Sequence, residues 1–294
     1  MPVYIHSVNG ICKNENKNLK FNLQKGGVDM TKEEQVKKLT DYMAKFIAYT
    51  AKKLPDDVIA KLQELREKED SPLSKTIYNT MFENQKLAVE LNRPSCQDTG
   101  VLQFWVKCGT KFPLIGELEA LLKEAVVQAT FEAPLRHNSV ETFDEYNTGK
   151  NVGKGTPTVF WDIVPDSDEC EIYTYMAGAD ALPGKAMVLM PGEGYEGVTK
   201  FVLDVMTSYG LNACPPLLVG VGVATSVETA ALLSKKALMR PIVPTMRTSA
   251  LQRWKSCLRM ESMRSALDRR EWVESILLWV SILKILPVIH RPSV

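Results

Sequence analysis

Helical and strand-like segments alternate between residues 30 and 242, and this alternation restricts the possible fold more than any other feature of the sequence. The segment 31–54 places Val36, Leu39, Met43 and Ile47 at three- and four-residue steps, with acids early and lysines late, which indicates an amphipathic helix. Further helices are predicted over 56–69, 71–91, 116–131 and 195–210, strands over 101–107, 158–164 and 171–177, and a strand–turn–helix unit over 215–238. The pattern predicts an α/β fold, a mixed sheet with flanking helices and an N-terminal helical segment. Thr225 with Glu228 three residues later is a capping-box pattern for the last helix.

Composition excludes several classes of protein. Lys and Arg number 36 against 35 Asp and Glu, so the net charge of +1 does not predict a nucleic-acid-binding surface. Six scattered cysteines without a CxxC pattern do not predict a disulfide scaffold or a zinc ribbon. No secretory signal is evident at the start, and the 15-residue apolar run 275–289 contains Lys284 and is too short for the roughly 20 residues that span a membrane. We therefore expect a cytoplasmic protein without a membrane anchor.

The first 29 residues are rich in Asn and Lys and have no periodic apolar pattern. The codons AAA GGA GGT for Lys25, Gly26 and Gly27 would form a purine-rich ribosome-binding sequence a few bases before the codon for Met30. We therefore interpret Met30 as the native start and expect residues 1–29 to be a disordered, leader-like extension. An N-terminal peptide from this segment in the endogenous protein would contradict that interpretation.

Two motifs contain a cysteine in a loop setting. SCQDTG (95–100) places a thiol, a carboxamide and a carboxylate side by side, although the same residues also form a plain turn in which Asp98 caps locally and Gly100 takes a positive φ. In NACPPLLVGVG (212–222), two prolines force extended backbone just after Cys214, although a buried, inert cysteine has the same pattern. The glycines of the second motif indicate a phosphate turn only weakly, because a third glycine is absent.

A third motif is LRHN, residues 135–138. Its Arg136 could bind a carboxylate through two parallel hydrogen bonds. A solvated surface loop explains the same residues equally well.

Taken together, these motifs resemble the iron–sulfur-dependent hydro-lyases, the family of the L(+)-tartrate dehydratase α subunits and the oxygen-sensitive fumarate hydratases. SCQDTG, APLRHNSVE, FDEYNTGKN, PGEGYEGVTKFV and NACPPLLVGVGVATSVETAALLSKKAL carry the resemblance, which runs from about Met30 to Ile242. The segment YMAGADALPGKAMVLMPGEG is more similar to the tartrate dehydratase α subunits than to the fumarate hydratases. We therefore interpret residues 30–242 as an iron–sulfur hydro-lyase α domain.

The resemblance implies a [4Fe-4S] cluster held by three thiolates, whose open iron acts as a Lewis acid on a small dicarboxylate substrate. Cys96 and Cys214 match two of the cluster ligands of the family. Gln97 and Asp98 match the pair that contacts the substrate and the iron-bound oxygen, and Arg136 matches the carboxylate clamp. The general base of the family is expected on a β subunit, or on the fused C-terminal domain of single-chain members, and the resemblance therefore also implies a β-subunit partner in a hetero-oligomer.

The tail, residues 243–294, departs from the family. The third cluster cysteine of the family is absent, because Cys257 lies in the unrelated context WKSCLRM. When the reading frame is shifted by two bases, the codons of residues 272–280 can encode the peptide GGKYSVMG. In the same shifted frame, the codons of residues 254–271 and 280–294 can encode other peptides that resemble the family. We therefore expect a one-base deletion, or an equivalent shift, near codon 243, and a poorly ordered, frameshifted tail whose apolar run is accidental. Resequencing the gene would test this.

The predicted function is the dehydration of L(+)-tartrate to oxaloacetate by the α subunit of an iron–sulfur hydro-lyase. A fumarate hydratase α subunit acting on malate and fumarate is the first alternative. An inactive remnant that lacks the third cluster ligand and a cluster-sensing binding module are two others. Iron analysis and co-purification with a β subunit discriminate among them.

Overall fold

The computed structural model describes residues 2–8, 21–22, 30–178, 184–209, 216–240, 242 and 279–285. These residues divide between two compact units, one within Met1–Lys61 and Tyr78–Ala179 and the other within Leu62–Ile77 and Asp180–Val294. Helices and a mixed sheet confirm the predicted α/β class. No helix within these ranges combines the length and apolarity that crossing a bilayer requires.

The first unit is built on a five-stranded sheet. Its strands in chain order are β1 (Pro2–Val8), β2 (Phe21–Asn22), β3 (Val101–Gly109), β4 (Thr158–Val164) and β5 (Cys170–Ala177), and their spatial order is β2-β1-β5-β3-β4. β3 pairs parallel with β4 and antiparallel with β5, so the sheet is mixed, as predicted. The register pairs Val101 with Ala177, and the start of β3 therefore lies beside the end of β5.

One face of this sheet is covered by α1 (Lys32–Lys52) and α4 (Leu118–Glu132). The predicted apolar face of α1 is buried there, and Leu39, Met43 and Ile47 have no exposed surface. From the sheet, alternate residues of β3 such as Phe104 point into the same core. Alternate β3 positions and one helix face thus form a dry core, as their periodicities predict.

The three helices of the N-terminal segment begin and end within two residues of the predicted boundaries. Thr31 caps α1 in a capping box, because its Oγ1 accepts the Glu34 N–H at 3.3 Å while Glu34 Oε2 accepts the Thr31 N–H at 2.8 Å. The next helices are α2 (Asp56–Lys68) and α3 (Pro72–Glu90), which match the helices predicted over 56–69 and 71–91.

Aromatic rings pack on the other face of the sheet. Trp105 of β3 stacks on Phe160 of β4 with ring centroids 4.6 Å apart, and its edge meets the Tyr175 ring of β5 at 6.0 Å. Trp105 and Tyr175 are both buried. Large rings thus cover the centre of this face, where three neighbouring strands meet.

The second unit contains α5 (Gly194–Tyr209), β6 (Leu218–Val223), α6 (Val227–Leu238) and β7 (Trp279–Ile285). β6 and β7 pair in parallel, and α5 packs Val198, Val202 and Met206 against apolar residues around β6. A side chain at Gly220 or Gly222 would overlap the backbone carbonyls of Ser234 and Ala230, respectively, both on α6. Close helix packing, rather than a phosphate turn, therefore explains these glycines of β6.

The predicted cap of α6 is wrong by one residue. Ser226, not Thr225, is the N-cap, because the Ser226 Oγ accepts the Thr229 N–H at 3.4 Å. Ser226 has the extended backbone of an N-cap, with φ −133° and ψ 153°.

Strands also occur at both ends, where sequence analysis expects disorder. β1 pairs in parallel with β5 from Val3–Cys170 to Val8–Tyr175, and β7 lies within the tail. The segment PVYIHSV (2–8) contains Val3, Tyr4, Ile5 and Val8, which are residue types that favour strands, and β1 lies between β2 and β5 in the sheet. The boundaries at residues 30 and 242, the leader and the frameshift stay predictions.

Candidate functional site

The segment 95–100, here called the thiol loop, is fixed at both ends. Ser95 donates its backbone N–H to the Ala51 carbonyl of α1 at 2.9 Å, and its own carbonyl accepts the side-chain amide of Asn84 of α3 at 2.6 Å. At the other end, the Asp98 Oδ1 accepts the Gly100 N–H at 3.3 Å, and Gly100 has a φ of +69°. The turn that the sequence suggests is therefore present, and it restrains the residues that carry the chemistry.

The Asp98 side chain packs closely against Gly178 at the end of the sheet, and this contact is here called the seat of Asp98. The Asp98 side chain is 11% exposed. A Cβ on Gly178, the residue after β5, would overlap the Asp98 carboxyl group. Since the antiparallel register places the start of β3 beside the end of β5, the strand pair brings Asp98 and Gly178 together. Only glycine at position 178 leaves room for the carboxylate in this position.

The segment 135–139, here called the arginine loop, is tied directly to the thiol loop. Thr99 Oγ1 accepts the backbone N–H of Arg136 at 3.0 Å, and the Gly100 carbonyl accepts the side-chain amide of Asn138 at 3.0 Å. Arg136 Nη1 lies 3.8 Å from Asp98 Oδ1. The Arg136 side chain is 59% exposed, so the guanidinium is open to a small anion while it stays paired with Asp98.

A third segment, residues 146–151, supports the arginine loop and is here called the amide loop. Asn151 is buried with a φ of +57°, and its Oδ1 accepts the Asn138 N–H at 2.6 Å. Its Nδ2 donates to Thr130 Oγ1 of α4 at 3.3 Å. Asn147 donates its side-chain amide to the His137 carbonyl at 2.9 Å. The side chains of Asn147 and Asn151 therefore fix the backbone of the arginine loop at His137 and Asn138.

Cys96 and Gln97 are the exposed part of the thiol loop. The Cys96 Sγ lies 3.7 Å from Gln97 Oε1 and can donate a weak hydrogen bond to it. A free, exposed thiol and an amide thus stand next to the Asp98–Arg136 pair. His137, next to Arg136, instead packs its ring on Phe131, with centroids 6.3 Å apart.

The site residues predicted from the sequence therefore fall into two groups. Cys96, Gln97, Asp98 and Arg136 lie together in the first unit, whereas Cys214 lies outside the described residues. Their functional roles stay predictions. The positioning residues that sequence reasoning missed are Thr99, Asn138, Asn151 and Gly178. All four lie in segments that were quoted for the family resemblance, but no local pattern indicated what their side chains or backbone contact.

The arrangement can bind a small carboxylate and orient a hydroxyl group. The planar guanidinium of Arg136 offers parallel N–H donors that match the two oxygens of a carboxylate. Asp98 is a hydrogen-bond acceptor 3.8 Å from that fork, and Gln97 adds an amide. A small hydroxy acid could bind here, with its carboxylate at Arg136 and its hydroxyl group at Asp98 and Gln97.

Comparison with known proteins shows the family to which this chain belongs. The family model described as fumarate hydratase (Fumerase) matches residues 40–265. The chain belongs to the fumarate hydratase family. Over 215 residues it is 58% identical to the L(+)-tartrate dehydratase subunit alpha of Escherichia coli O157:H7 and 57% identical to those of Escherichia coli K12 and Shigella sonnei. Each alignment covers 73% of this chain and 71% of the relative.

Membership of the fumarate hydratase family makes this chain a hydro-lyase enzyme. The family match continues past Ile242, where sequence analysis ends the resemblance, to residue 265. It includes the thiol, arginine and amide loops.

One of the two cysteines predicted as ligands of an iron–sulfur cluster, Cys96, lies among the described residues. The Cys96 thiol is exposed in a restrained loop, as a cluster ligand needs to be. Cys108 and Cys170 have no exposed surface and lie in the core, toward the end of the β3–β5 pair opposite to the thiol loop. Within the described ranges no three His, Cys, Asp or Glu side chains are grouped as a metal site.

Proposed function

We propose that the chain is the α subunit of an iron–sulfur hydro-lyase that dehydrates L(+)-tartrate to oxaloacetate. The observation that carries this proposal is the thiol loop, whose Asp98 pairs with Arg136 in a chain 58% identical to a protein named L(+)-tartrate dehydratase subunit alpha. The exposed Cys96, the acidic acceptor and the guanidinium fork are the groups that this reaction needs from an α subunit.

Cys96 would hold one iron of a [4Fe-4S] cluster, with Cys214 as the proposed second ligand. When bound, the cluster supplies an open iron that acts as a Lewis acid toward a substrate hydroxyl. The backbone hydrogen bonds of Ser95 and the turn at Asp98 and Gly100 restrain the chain on both sides of Cys96 while its thiol stays accessible.

The protein side chains would bind and orient the substrate. Arg136 binds one carboxylate of the dianion through its fork, and its backbone N–H is held by Thr99 at 3.0 Å. Asp98, seated on Gly178, accepts a hydrogen bond from the hydroxyl group that leaves, and the Gln97 amide contacts the same region of the substrate. Because the backbones of the two loops that carry these groups are fixed by hydrogen bonds before substrate arrives, less conformational entropy is lost on binding than from mobile loops.

The general base would come from a β subunit. The relatives are named as alpha subunits, which implies that those enzymes contain another subunit. We therefore propose a hetero-oligomer in which the partner completes the site next to Arg136.

The test is an assay of the chain together with a β subunit, after anaerobic reconstitution with iron and sulfide. Arg136→Lys keeps the charge but loses the fork, so KM for L(+)-tartrate should rise about tenfold or more. Arg66→Lys in α2 is the matched control and should leave KM unchanged. An unchanged KM in Arg136→Lys would exclude the carboxylate role.

Iron content provides a test that does not depend on turnover. Cys96→Ser should reduce bound iron and the visible absorption of the cluster, whereas Cys108→Ala, which removes a buried core thiol, should not. Equal iron contents in the two variants would rule out Cys96 as a ligand.

Fumarate hydration is the second candidate, because the matching family is described as fumarate hydratase. Malate has one hydroxyl group fewer than tartrate. A site that hydrogen-bonds the second hydroxyl group of tartrate rejects malate strongly, because the buried polar groups of the site would be left unpaired when malate is bound. The ratio of kcat/KM for L(+)-tartrate and malate therefore decides between the two substrates.

A further inference from the structure

Two buried thiols face each other across the central strands of the first unit. Cys108 lies near the end of β3 and Cys170 begins β5, and the antiparallel register pairs these two residues directly. Both are free thiols, and neither has any exposed surface. They pack in the same core as Val106 and Ile172.

The hydrogen-bond pattern of the ladder shows what kind of pair they form. The Gly109 N–H donates to the Glu169 carbonyl at 2.8 Å, which makes Gly109 and Glu169 a hydrogen-bonded pair. Since the two kinds of pair alternate along an antiparallel ladder, Cys108 and Cys170 form a non-hydrogen-bonded pair. The Cα atoms of such a pair are about 4.5 Å apart, which lies within the range that a disulfide spans.

The two thiols differ in acidity. A hydrogen bond from the Cys170 thiol lowers the pKa of Cys108, although burial acts in the opposite direction. The same hydrogen bond and burial both raise the pKa of Cys170. Cys108 is therefore the better nucleophile of the two, and Cys170 keeps its proton until an electrophilic sulfur is next to it.

We propose that Cys108 and Cys170 form a reversible cross-strand disulfide when the protein is exposed to hydrogen peroxide. The Cys108 thiolate attacks one peroxide oxygen, the O–O bond breaks, and a sulfenic acid and one water form. The Cys170 sulfur then attacks the sulfenic sulfur, the S–O bond breaks, and a second water leaves with the Cys170 proton. In total, two thiols lose two electrons and two protons to one peroxide, which is reduced to two waters.

The burial of the pair favours peroxide over larger oxidants. Both thiols are completely covered, so a small uncharged molecule reaches them through minor opening of the strand ends, whereas the charged tripeptide disulfide of glutathione does not. Position also matters: the pair lies toward the end of β3 opposite to the thiol loop, so the new bond joins β3 and β5 without entering the candidate site.

The experiment treats the full chain, folded and without added metal, with hydrogen peroxide or with glutathione disulfide. Peptide mapping under non-reducing conditions should find a peptide that joins Cys108 to Cys170 after peroxide treatment only, and dithiothreitol should reverse it. The oxidised protein should melt about 5 °C or more above the reduced protein, because the bond closes a long loop.

Two variants separate the roles of the two sulfurs. Cys170→Ser should leave a sulfenic acid on Cys108 that a 1,3-dione reagent traps, whereas Cys108→Ser should leave Cys170 much less reactive. If either variant fails to fold, the peptide map of the wild-type protein alone still tests whether the disulfide forms. Full alkylation of both cysteines after peroxide treatment would overturn the proposal, and so would a mixed disulfide with glutathione at either residue.

Discussion

The two units of the chain bury their apolar residues to different degrees. In the first unit, two helices cover one sheet face, and Leu39, Phe104 and Leu122 have no exposed surface. In the second unit, the apolar residues between α5 and β6 keep a little exposure, for example 7% at Val198 and 9% at Met206. Amphipathic helices thus form a fully buried core where they cover the five-stranded sheet of the first unit. Where they pack on the two-stranded sheet of the second unit, the core is less completely buried.

This difference matters because the candidate site is carried by the drier unit. The thiol loop leads into β3, the arginine loop follows α4, and Asn151 of the amide loop donates to Thr130 of α4. A close-packed core transmits small displacements rather than absorbing them. The thiol, arginine and amide loops are therefore attached to closely packed strands and helices. Such support suits functional groups that must be positioned to within a fraction of an ångström.

The largest expected effect compares two leucines on helices. Leu122→Ala in α4 removes a side chain with no exposed surface, whereas Leu233→Ala in α6 removes one that is 6% exposed. Leu122→Ala should lower the free energy of unfolding by about 3–5 kcal/mol and Leu233→Ala by about 2–3 kcal/mol, because a better-packed site leaves a larger cavity. Urea unfolding, with hydrogen exchange in α4 and α6 as local probes, measures both. Equal losses would remove the distinction between the two cores.

The next comparison is between two glycines. Gly222→Ala places a methyl group against the Ala230 carbonyl of α6, which must move, so stability should fall by about 1–3 kcal/mol. Gly178→Ala meets the Asp98 side chain instead, including its Cβ at 2.9 Å, so the carboxyl group must leave its position and substrate binding should weaken. Gly116→Ala, with no atom near the added group, is the control for both. A Gly178→Ala variant with unchanged kinetics would show that the seat does not position Asp98.

The smallest effect is a pH dependence of opposite sign in the two units. Burial raises the pKa of Tyr175 above its ordinary 10.0, so the folded protein holds this proton more tightly than the unfolded chain. This stabilisation is complete below pH 10 and is lost as the pH rises through the folded-state pKa. Burial lowers the pKa of Lys235 below 10.5, so its cost to stability is present at neutral pH and disappears as the pH rises toward 10.5.

Unfolding measured between pH 8 and 11 should show both trends. The stability advantage of the wild type over Tyr175→Phe should shrink above about pH 10, whereas the wild type should gain relative to Lys235→Met over the same range. Parallel curves for either pair would mean that burial at that residue does not perturb its titration.

Local pattern was enough to predict most of the elements. The strand predicted over 158–164 matches β4, and the helix predicted over 31–54 contains α1, because both segments have an unambiguous period and a clear boundary. The α6 cap was missed by one residue, since Thr225 and Ser226 are both good caps and only the observed hydrogen bond distinguishes them.

Contacts between distant segments could not be predicted in the same way. The seat of Asp98 on Gly178 depends on the β3–β5 register, which no local pattern encodes. The pairing of β1 with β5 likewise depends on which sheet edge is open. By contrast, Cys96, Gln97, Asp98 and Arg136 were found as candidates because the resemblance to the family rests on short motifs rather than on geometry.

The seat of Asp98 has a consequence for the order in which the protein is made. Gly178 follows Asp98 by 80 residues in the chain, so at a synthesis rate of about 5–20 residues per second the carboxylate waits roughly 4–16 s for its neighbour to leave the ribosome. During that interval the thiol next to it belongs to a nascent chain whose central strand pair cannot yet form. Under the proposed function, iron delivered before residue 178 has emerged would meet Cys96 beside an Asp98 carboxylate that does not yet have its contact with Gly178, which would favour insertion of the proposed cluster after synthesis rather than during it.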